Sequence, residues 1–234
     1  MSVSRPDRAL KWAADGQAVF EQAVAGCDDV RGPSRLPGWS RGHVITHVAR
    51  NAEGLVRLLS WARTGVETPI YPSIEARAAG IEAGAGRPLA EQLDDVRRTG
   101  EAFASAAQDL SPRHWAATVR TTRGDPVAAS VVPWMRVCEV WLHLVDLDAG
   151  AELDALPENV AAELVRDVAS WMDSRVSERV VVQIPGWERV TFGQGDVPMP
   201  VSGPVQELAG WLTGRSSGDG LTAPDGLPEL PSWR

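Results

Sequence analysis

WMRVCEVWLHLVD, residues 134–146, is predicted to form a helix with two metal-binding side chains on one face. Glu139 and His143 are four residues apart in it, and at about 3.6 residues per turn positions i and i+4 share a side of a helix. Arg136 and Asp146 fall on roughly the same side. A buried, unpartnered Glu and His would be costly, and a shared cation would offset that cost. Because two ligands hold a divalent metal poorly, a third ligand is expected from elsewhere in the chain.

A second predicted helix offers two candidates for the missing ligand. It follows Ser40, a residue type that suits an N-cap, and it carries His43 and His47 four residues apart on an edge shared with Asn51. His43 is one turn from the cap and more accessible to water, whereas His47 lies deeper along the helix. Spacing alone therefore leaves both histidines open, with a slight preference for His47.

The first part of the chain is predicted to be a four-helix bundle with one long crossover. Helical periodicity covers four segments, residues 7–30, 40–63, 88–110 and 129–150. Residues 64–87 are interrupted by Pro and Gly, and we expect loop there with a short helix near 74–83. Metal sites in such bundles are built from inward side chains on facing helices. Two histidines, one carboxylate and a water would form an open zinc site of the catalytic kind.

A smaller domain is predicted after the bundle. The pattern indicates a helix at 157–174, strands at 179–184 and 189–192, an irregular Gly- and Pro-rich connection at 193–204, and a helix at 205–212. We therefore expect an α+β protein with two domains. Residues 1–152 would form the metal-binding bundle, and residues 153–234 the smaller C-terminal domain.

Charge and hydropathy exclude several classes of function. The formal net charge is −8, and no basic block offsets it, which argues against a nucleic-acid partner. The start of the chain lacks an apolar segment of signal-peptide length, and no run approaches the roughly 20 apolar residues of a membrane span. We expect a cytoplasmic protein with no membrane partner, either a monomer or a weak homodimer.

Three motifs together resemble the mycothiol-dependent maleylpyruvate isomerase family. They are WSRGHVITHVARNAEG at 39–54, RVCEVWLHLVD at 136–146 and VSGPVQELAGWLTGR at 201–215. The resemblance covers nearly the whole chain and keeps the order of the domains. It implies an N-terminal DinB-like four-helix bundle and a smaller C-terminal α/β domain similar to sterol-carrier-protein folds.

The resemblance also implies roles for individual residues. It assigns the zinc ligands to His47, Glu139 and His143, and so decides against His43. It places a functional arginine at Arg215, where a bidentate guanidinium would hold a substrate carboxylate.

Two further side chains are candidates for contacts with the bound thiol and the substrate. Arg136 lies on the ligand face, where it would pair with Glu139, with Asp146 or with groups of the thiol. We predict that it has a catalytic role and that, with Asn51, it contacts the mycothiol. The alternative for Arg136 is a structural ion pair.

The activity implied is a zinc- and mycothiol-dependent cis–trans isomerisation of maleylpyruvate, or of a related conjugated acid, to the fumaryl form. Turning a cis double bond to trans requires its temporary loss, by addition of a thiolate, rotation about the resulting single bond, and elimination. One alternative is a mycothiol S-transferase that conjugates a small electrophile and releases the adduct. Another is a zinc-binding regulatory protein without catalytic activity.

Overall fold

The computed structural model describes residues 6–233, and the chain divides after Ala151 into two compact units. The first unit is mainly helical, and the second contains a small sheet. The predicted α+β fold, with a helical N-terminal domain and a smaller domain that contains a sheet, is confirmed. Within residues 6–233, no helix is both long enough and apolar enough to cross a membrane.

The first unit is built from long helices in the order that the periodicity predicts, with a short helix in the crossover. Its elements are α1 (Asp7–Ala25), α2 (Arg41–Thr64), α3 (Ile74–Ala85), α4 (Leu89–Gln108), α5 (Pro112–Trp115), β1 (Thr118–Arg120), β2 (Pro126–Ala128) and α6 (Val132–Asp146). The short strands β1 and β2 pair antiparallel. The crossover segment thus contains α3, close to the position predicted for its short helix.

Helix α2 lies at the centre of the first unit, and its packing brings it beside α6. It contacts α3, α4 and α6, while α1 packs against α4 and α6. Buried apolar side chains occur along its whole length, including Ile45, Leu55 and Leu59. The approach of α1 to α6 depends on Gly16, since a Cβ there would come within 2.5 Å of the Val140 side chain. Close packing of these helices fixes which faces of α2 and α6 meet.

A capping box starts α2. The Ser40 side chain accepts a hydrogen bond from the backbone N–H of His43, and the Ser40 backbone N–H donates to Nδ1 of His43. The backbone N–H groups at a helix start lack partners within the helix, so a reciprocal pair of this kind stabilises the start of α2. His43 thus takes the place that Glu or Gln usually occupies in a capping box.

We expect Ser40→Ala to lower the free energy of unfolding by about 1 kcal/mol, because the acceptor for the first turn of α2 is removed. The measurement is urea denaturation followed by circular dichroism. The control is Ser105→Ala at an exposed position of α4, where a change of less than about 0.5 kcal/mol is expected. Equal stability of the Ser40→Ala variant and the wild type would show that the capping box contributes nothing.

Helix α6 differs from its prediction at both ends. Residues Ala129–Val131 form a 3₁₀ turn before the α-helix, and Pro133 lies in the first turn of that helix, as predicted. The helix ends at Asp146 and not at Gly150, because Asp148 takes a left-handed φ of 55° that an α-helix does not allow. The backbone carbonyl of Asp148 accepts a hydrogen bond from Arg41 Nη2 at 2.8 Å. Helix α1 likewise ends earlier than predicted, at Ala25.

The second unit contains a three-stranded sheet and two helices. Its elements are α7 (Glu158–Met172), β3 (Arg179–Gln183), β4 (Val190–Phe192), β5 (Pro198–Ser202) and α8 (Val205–Leu212). Strand β3 is central, antiparallel to β4 and parallel to β5, and α7 packs against α8. The helices and the first two strands lie where the sequence predicts them.

Strand β5 was not predicted, because its two prolines suggested an irregular connection. Pro198, Pro200 and Ser202 alternate along β5, so their backbone N–H positions face the same side of the strand. The Ser202 N–H points away from β3 and donates to the Thr222 carbonyl. The N–H groups that the two prolines lack are therefore not needed for pairing with β3, and an edge strand tolerates the prolines.

Candidate metal centre

Three side chains from two helices of the first unit converge in the structure. His47 comes from α2, and Glu139 and His143 come from α6; one ligand atom from each lies within 4.8 Å of the others. The Glu139 carboxylate is 3.0 Å from Nε2 of His47 and 3.3 Å from Nε2 of His143. These residues, here called the His–Glu–His cluster, are the three that the resemblance assigns to zinc.

Local and long-range structure contribute separately to the cluster. Glu139 and His143 share a face because they are four residues apart in α6. His47 reaches them because α2 packs along α6, with Val48 and Leu144 buried in the first unit. The spacing therefore fixes two of the donors, and the packing of the bundle supplies the third.

The cluster is buried enough for its charges to affect one another strongly. Burial lowers the pKa of the His47 imidazole, and the hydrogen bond to Glu139 offsets this only in part. Burial alone would raise the pKa of Glu139, but hydrogen bonds from His143 and His47 hold it well below its usual range. Glu139 is therefore ionised at neutral pH, which is the form that binds a metal.

His143 is oriented by a carboxylate behind it. Its Nδ1 lies 2.9 Å from Oδ2 of Asp146, whose side chain is buried. This hydrogen bond and the one to Glu139 outweigh the effect of burial and raise the pKa of His143. A carboxylate that accepts from Nδ1 leaves Nε2 facing the cluster, the arrangement that orients metal-binding histidines.

His47 has a cation, not a carboxylate, behind its ring. Its Nδ1 lies 3.2 Å from Nη2 of Arg77 on α3, and the Arg77 guanidinium stands 5.7 Å from the centroid of the Tyr71 ring. Burial and then the negative charge of Glu139 raise the pKa of the Tyr71 hydroxyl, and the nearby Arg77 and Asn51 side chains offset this only in part.

The sequence pattern does not indicate Arg77 or Tyr71 as site residues. They lie in the crossover between α2 and α4, where Pro and Gly interrupt any helical periodicity. One signal was available: Arg77 is the sole basic residue of Ile74–Ala85, the segment that forms the short helix α3.

His43, the other histidine candidate, lies outside the cluster. Its Nδ1 takes part in the capping box with Ser40, and its Nε2 lies 3.3 Å from the exposed Glu82 carboxylate. The Trp39 ring stacks on His43 and meets His47 edge-on. The Ser-x-x-His spacing at the start of α2 was the sequence signal for this capping role.

Arg136 lies in the interior of the bundle, with an exposed fraction of 1%. Its guanidinium donates to the Val48 carbonyl at 2.8 Å, to Oδ1 of Asn51 at 3.2 Å and to Oε1 of Gln17 at 2.6 Å. These acceptors are neutral, so the predicted ion pairs with Glu139 or Asp146 are not among its hydrogen bonds. Burial lowers the pKa of the Arg136 guanidinium to about 10, so it stays charged at neutral pH.

Arg215 belongs to the second unit, just after α8. Gly214 takes a left-handed φ of 76°, and the backbone N–H groups of Gly214 and Arg215 donate to the carbonyls of Trp211 and Gly210. This is a Schellman ending of the helix, which fixes the backbone at Arg215. Its Nη1 donates to the Thr213 carbonyl at 2.8 Å.

Comparison with known proteins gives a consistent result over both units. The family model described as mycothiol maleylpyruvate isomerase N-terminal domain matches residues 12–148. A crystal structure of a mycothiol-dependent maleylpyruvate isomerase is 31% identical, with a TM-score of 0.89 and 98% of each chain covered. A histidine-to-alanine mutant of such an isomerase gives 31% identity, a TM-score of 0.88 and the same coverage. No curated protein sequence matches the chain.

Proposed function

The chain belongs to the mycothiol-dependent maleylpyruvate isomerase family, and we propose that it converts maleylpyruvate, or a closely related cis conjugated acid, into the trans isomer. As a member of that family it is an enzyme of the isomerase type. Mycothiol would be the attacking thiol, and zinc would be held by the His–Glu–His cluster. The observation that carries the proposal is the convergence of His47, Glu139 and His143 from two helices.

The geometry of the cluster fits zinc. Two ligand atoms on a tetrahedral zinc ion, each about 2.0–2.2 Å from the metal, lie about 3.3–3.6 Å apart. The carboxylate–imidazole separations of 3.0 and 3.3 Å are close to that value. Two imidazole nitrogens and a carboxylate oxygen form a donor set that zinc prefers, and three protein ligands leave a fourth position open for an exogenous group.

The cluster residues define the charge and orientation of the site. A bound zinc ion would keep a coordinated thiol deprotonated at neutral pH. Glu139 contributes one negative charge, so a zinc-loaded cluster with neutral histidines has a net positive charge that favours anionic thiol and anionic substrate. Asp146 holds the His143 ring so that Nε2 faces the cluster.

The roles of the remaining predicted residues are part of the proposal. Arg136 donates a hydrogen bond to Asn51, and Asn51 in turn lies near the Tyr71 hydroxyl beside the cluster. We infer that Arg136 acts through Asn51 as a positioning residue, while Asn51 and Tyr71 contact the thiol or the substrate. Arg215 is proposed, from the resemblance, to bind a substrate carboxylate.

The test of the proposed function is turnover with defined components. Zinc-loaded protein, mycothiol and maleylpyruvate are mixed, and the enone absorbance and the products are followed over time. We expect catalytic conversion to fumarylpyruvate that needs both the metal and the thiol and consumes neither. Accumulation of a stable thioether would indicate the S-transferase instead, and the absence of any reaction would favour the regulatory alternative.

We expect Asp146→Asn to weaken zinc binding by about tenfold or more, because the charge that orients and polarises His143 is lost. The dissociation constant is measured by competition with a chelator of known affinity. The control, Asp28→Asn, changes an exposed carboxylate in the loop after α1 and should leave the zinc affinity unchanged. An Asp146→Asn variant with wild-type affinity would remove Asp146 from the account of the site.

A further inference from the structure

We propose that Arg77 is a specificity-determining residue that binds a carboxylate of the substrate once the His–Glu–His cluster holds its metal. The inference rests on the proposed function, since it assumes an anionic substrate and a metal on Nε2 of His47. In the structure, the Arg77 guanidinium contacts Nδ1 of His47.

The position of Arg77 on α3 sets it apart from its neighbours. The buried residues of α3, Ile81, Gly84 and Ala85, all lie in its C-terminal half. In the N-terminal half, the residues on either side of Arg77 are exposed, yet Arg77 is half-buried and its guanidinium reaches the cluster. The packing of α3 on α2 therefore places a positive charge directly beside a predicted metal ligand.

The hydrogen bond between Arg77 and His47 is compatible with only one form of the imidazole. A guanidinium has donors and no acceptor, so Nδ1 of His47 must accept and Nε2 must carry the proton, which it donates to Glu139. A metal on Nε2 moves that proton to Nδ1, where it would face another donor. Metal binding therefore breaks the contact, in contrast to His143, whose Nδ1 already has a carboxylate acceptor.

Among the described residues, no carboxylate pairs with the Arg77 guanidinium and would hold it after this release. The nearby arginines of the first unit, Arg50 and Arg98, form ion pairs with Asp95 and Glu53. Within residues 6–233, the polar and ring partners of the Arg77 guanidinium are the His47 imidazole and Tyr71. A guanidinium held beside an aromatic ring and released from its one imidazole partner is suited to bind a carboxylate bidentately.

The charges of the site agree with an anionic substrate. A zinc-loaded cluster with neutral histidines has one net positive charge before a thiolate binds and none afterwards, so Arg77 supplies the positive charge beside the thiolate-loaded cluster. Maleylpyruvate has two carboxylates, and a cis dicarboxylate such as maleate presents the same charge without the enone. Maleate can therefore report on Arg77 without any turnover.

The experiment compares Arg77→Gln, Arg77→Lys and the control Arg63→Gln, which changes an exposed arginine at the end of α2. Maleate binding to each zinc-loaded protein is measured by calorimetry, zinc affinity by chelator competition, and kcat and KM with maleylpyruvate. For Arg77→Gln we expect maleate affinity to fall about 10- to 100-fold, KM to rise correspondingly, and zinc affinity to hold or increase. Arg77→Lys should recover part of the loss, and Arg63→Gln should match the wild type.

Three results would overturn the inference. The first is wild-type maleate binding by Arg77→Gln, and the second is no maleate binding by the zinc-loaded wild type. The third is a loss of zinc affinity as large as the loss of maleate affinity, which would mean that Arg77 acts only through His47. If the wild type shows Arg77-dependent maleate binding but no isomerase turnover, the proposed function fails while the role of Arg77 in binding a dicarboxylate stands.

Discussion

His47→Ala is expected to abolish stoichiometric zinc binding and to reduce isomerase turnover by about a thousandfold or more, while the bundle stays folded. The physical reason is that Glu139 and His143 alone leave zinc with two protein ligands, fewer than an open zinc site uses. Zinc content is measured by elemental analysis, turnover by the enone absorbance, and folding by circular dichroism.

The matched control for this prediction is His43→Ala. It removes a histidine one turn earlier on the same helix, where the side chain serves the capping box and lies outside the cluster. This variant should keep zinc and activity and lose only about 1 kcal/mol of stability. Retention of zinc by His47→Ala, or its loss by both variants, would contradict the assignment. Unfolding of His47→Ala well below the melting temperature of metal-free wild type would indicate a structural role.

Arg136→Met is expected to lower the free energy of unfolding by about 2–4 kcal/mol, because two buried acceptors and one part-buried acceptor lose their charged donor. The guanidinium joins α6 to α2 through Val48 and Asn51, and to α1 through Gln17. Met replaces part of the volume but donates no hydrogen bond. Urea denaturation measures the effect, with Arg63→Met at an exposed position as the control.

The same variant distinguishes the two roles considered for Arg136. If Arg136 positions Asn51, the folded fraction of Arg136→Met should bind zinc normally and show a moderate loss of turnover. A variant as stable as the wild type but without activity would contradict the positioning role. That outcome would favour direct contact between Arg136 and the substrate or the thiol.

The parts of the fold and site that depend on local spacing were predictable from the sequence. The face shared by Glu139 and His143 follows from helix geometry, and the apolar periodicity was sufficient to predict the bundle helices. The choice between His43 and His47 was not settled by spacing. It came from the resemblance, and the structure supplies its physical basis, since His43 is engaged at the start of α2.

The parts that depend on long-range packing were not predictable. Arg77 and Tyr71 reach the cluster only because α3 packs on α2, a contact that no periodicity in a segment rich in Pro and Gly indicates. The neutral acceptors around Arg136 come from two other helices, so the sequence suggested carboxylate partners on its own face instead. Strand β5 was missed because the tolerance of its prolines depends on which edge is paired.

The central claim is that His47, Glu139 and His143 hold one zinc ion with a fourth position open to sulfur. The most direct measurement is anomalous diffraction at the zinc edge from crystals loaded with zinc and mycothiol. We predict one zinc per chain, bound by Nε2 of His47, the Glu139 carboxylate, Nε2 of His143 and the mycothiol sulfur. Zinc bound at other residues, or a thiol that does not reach the zinc at this cluster, would contradict the account.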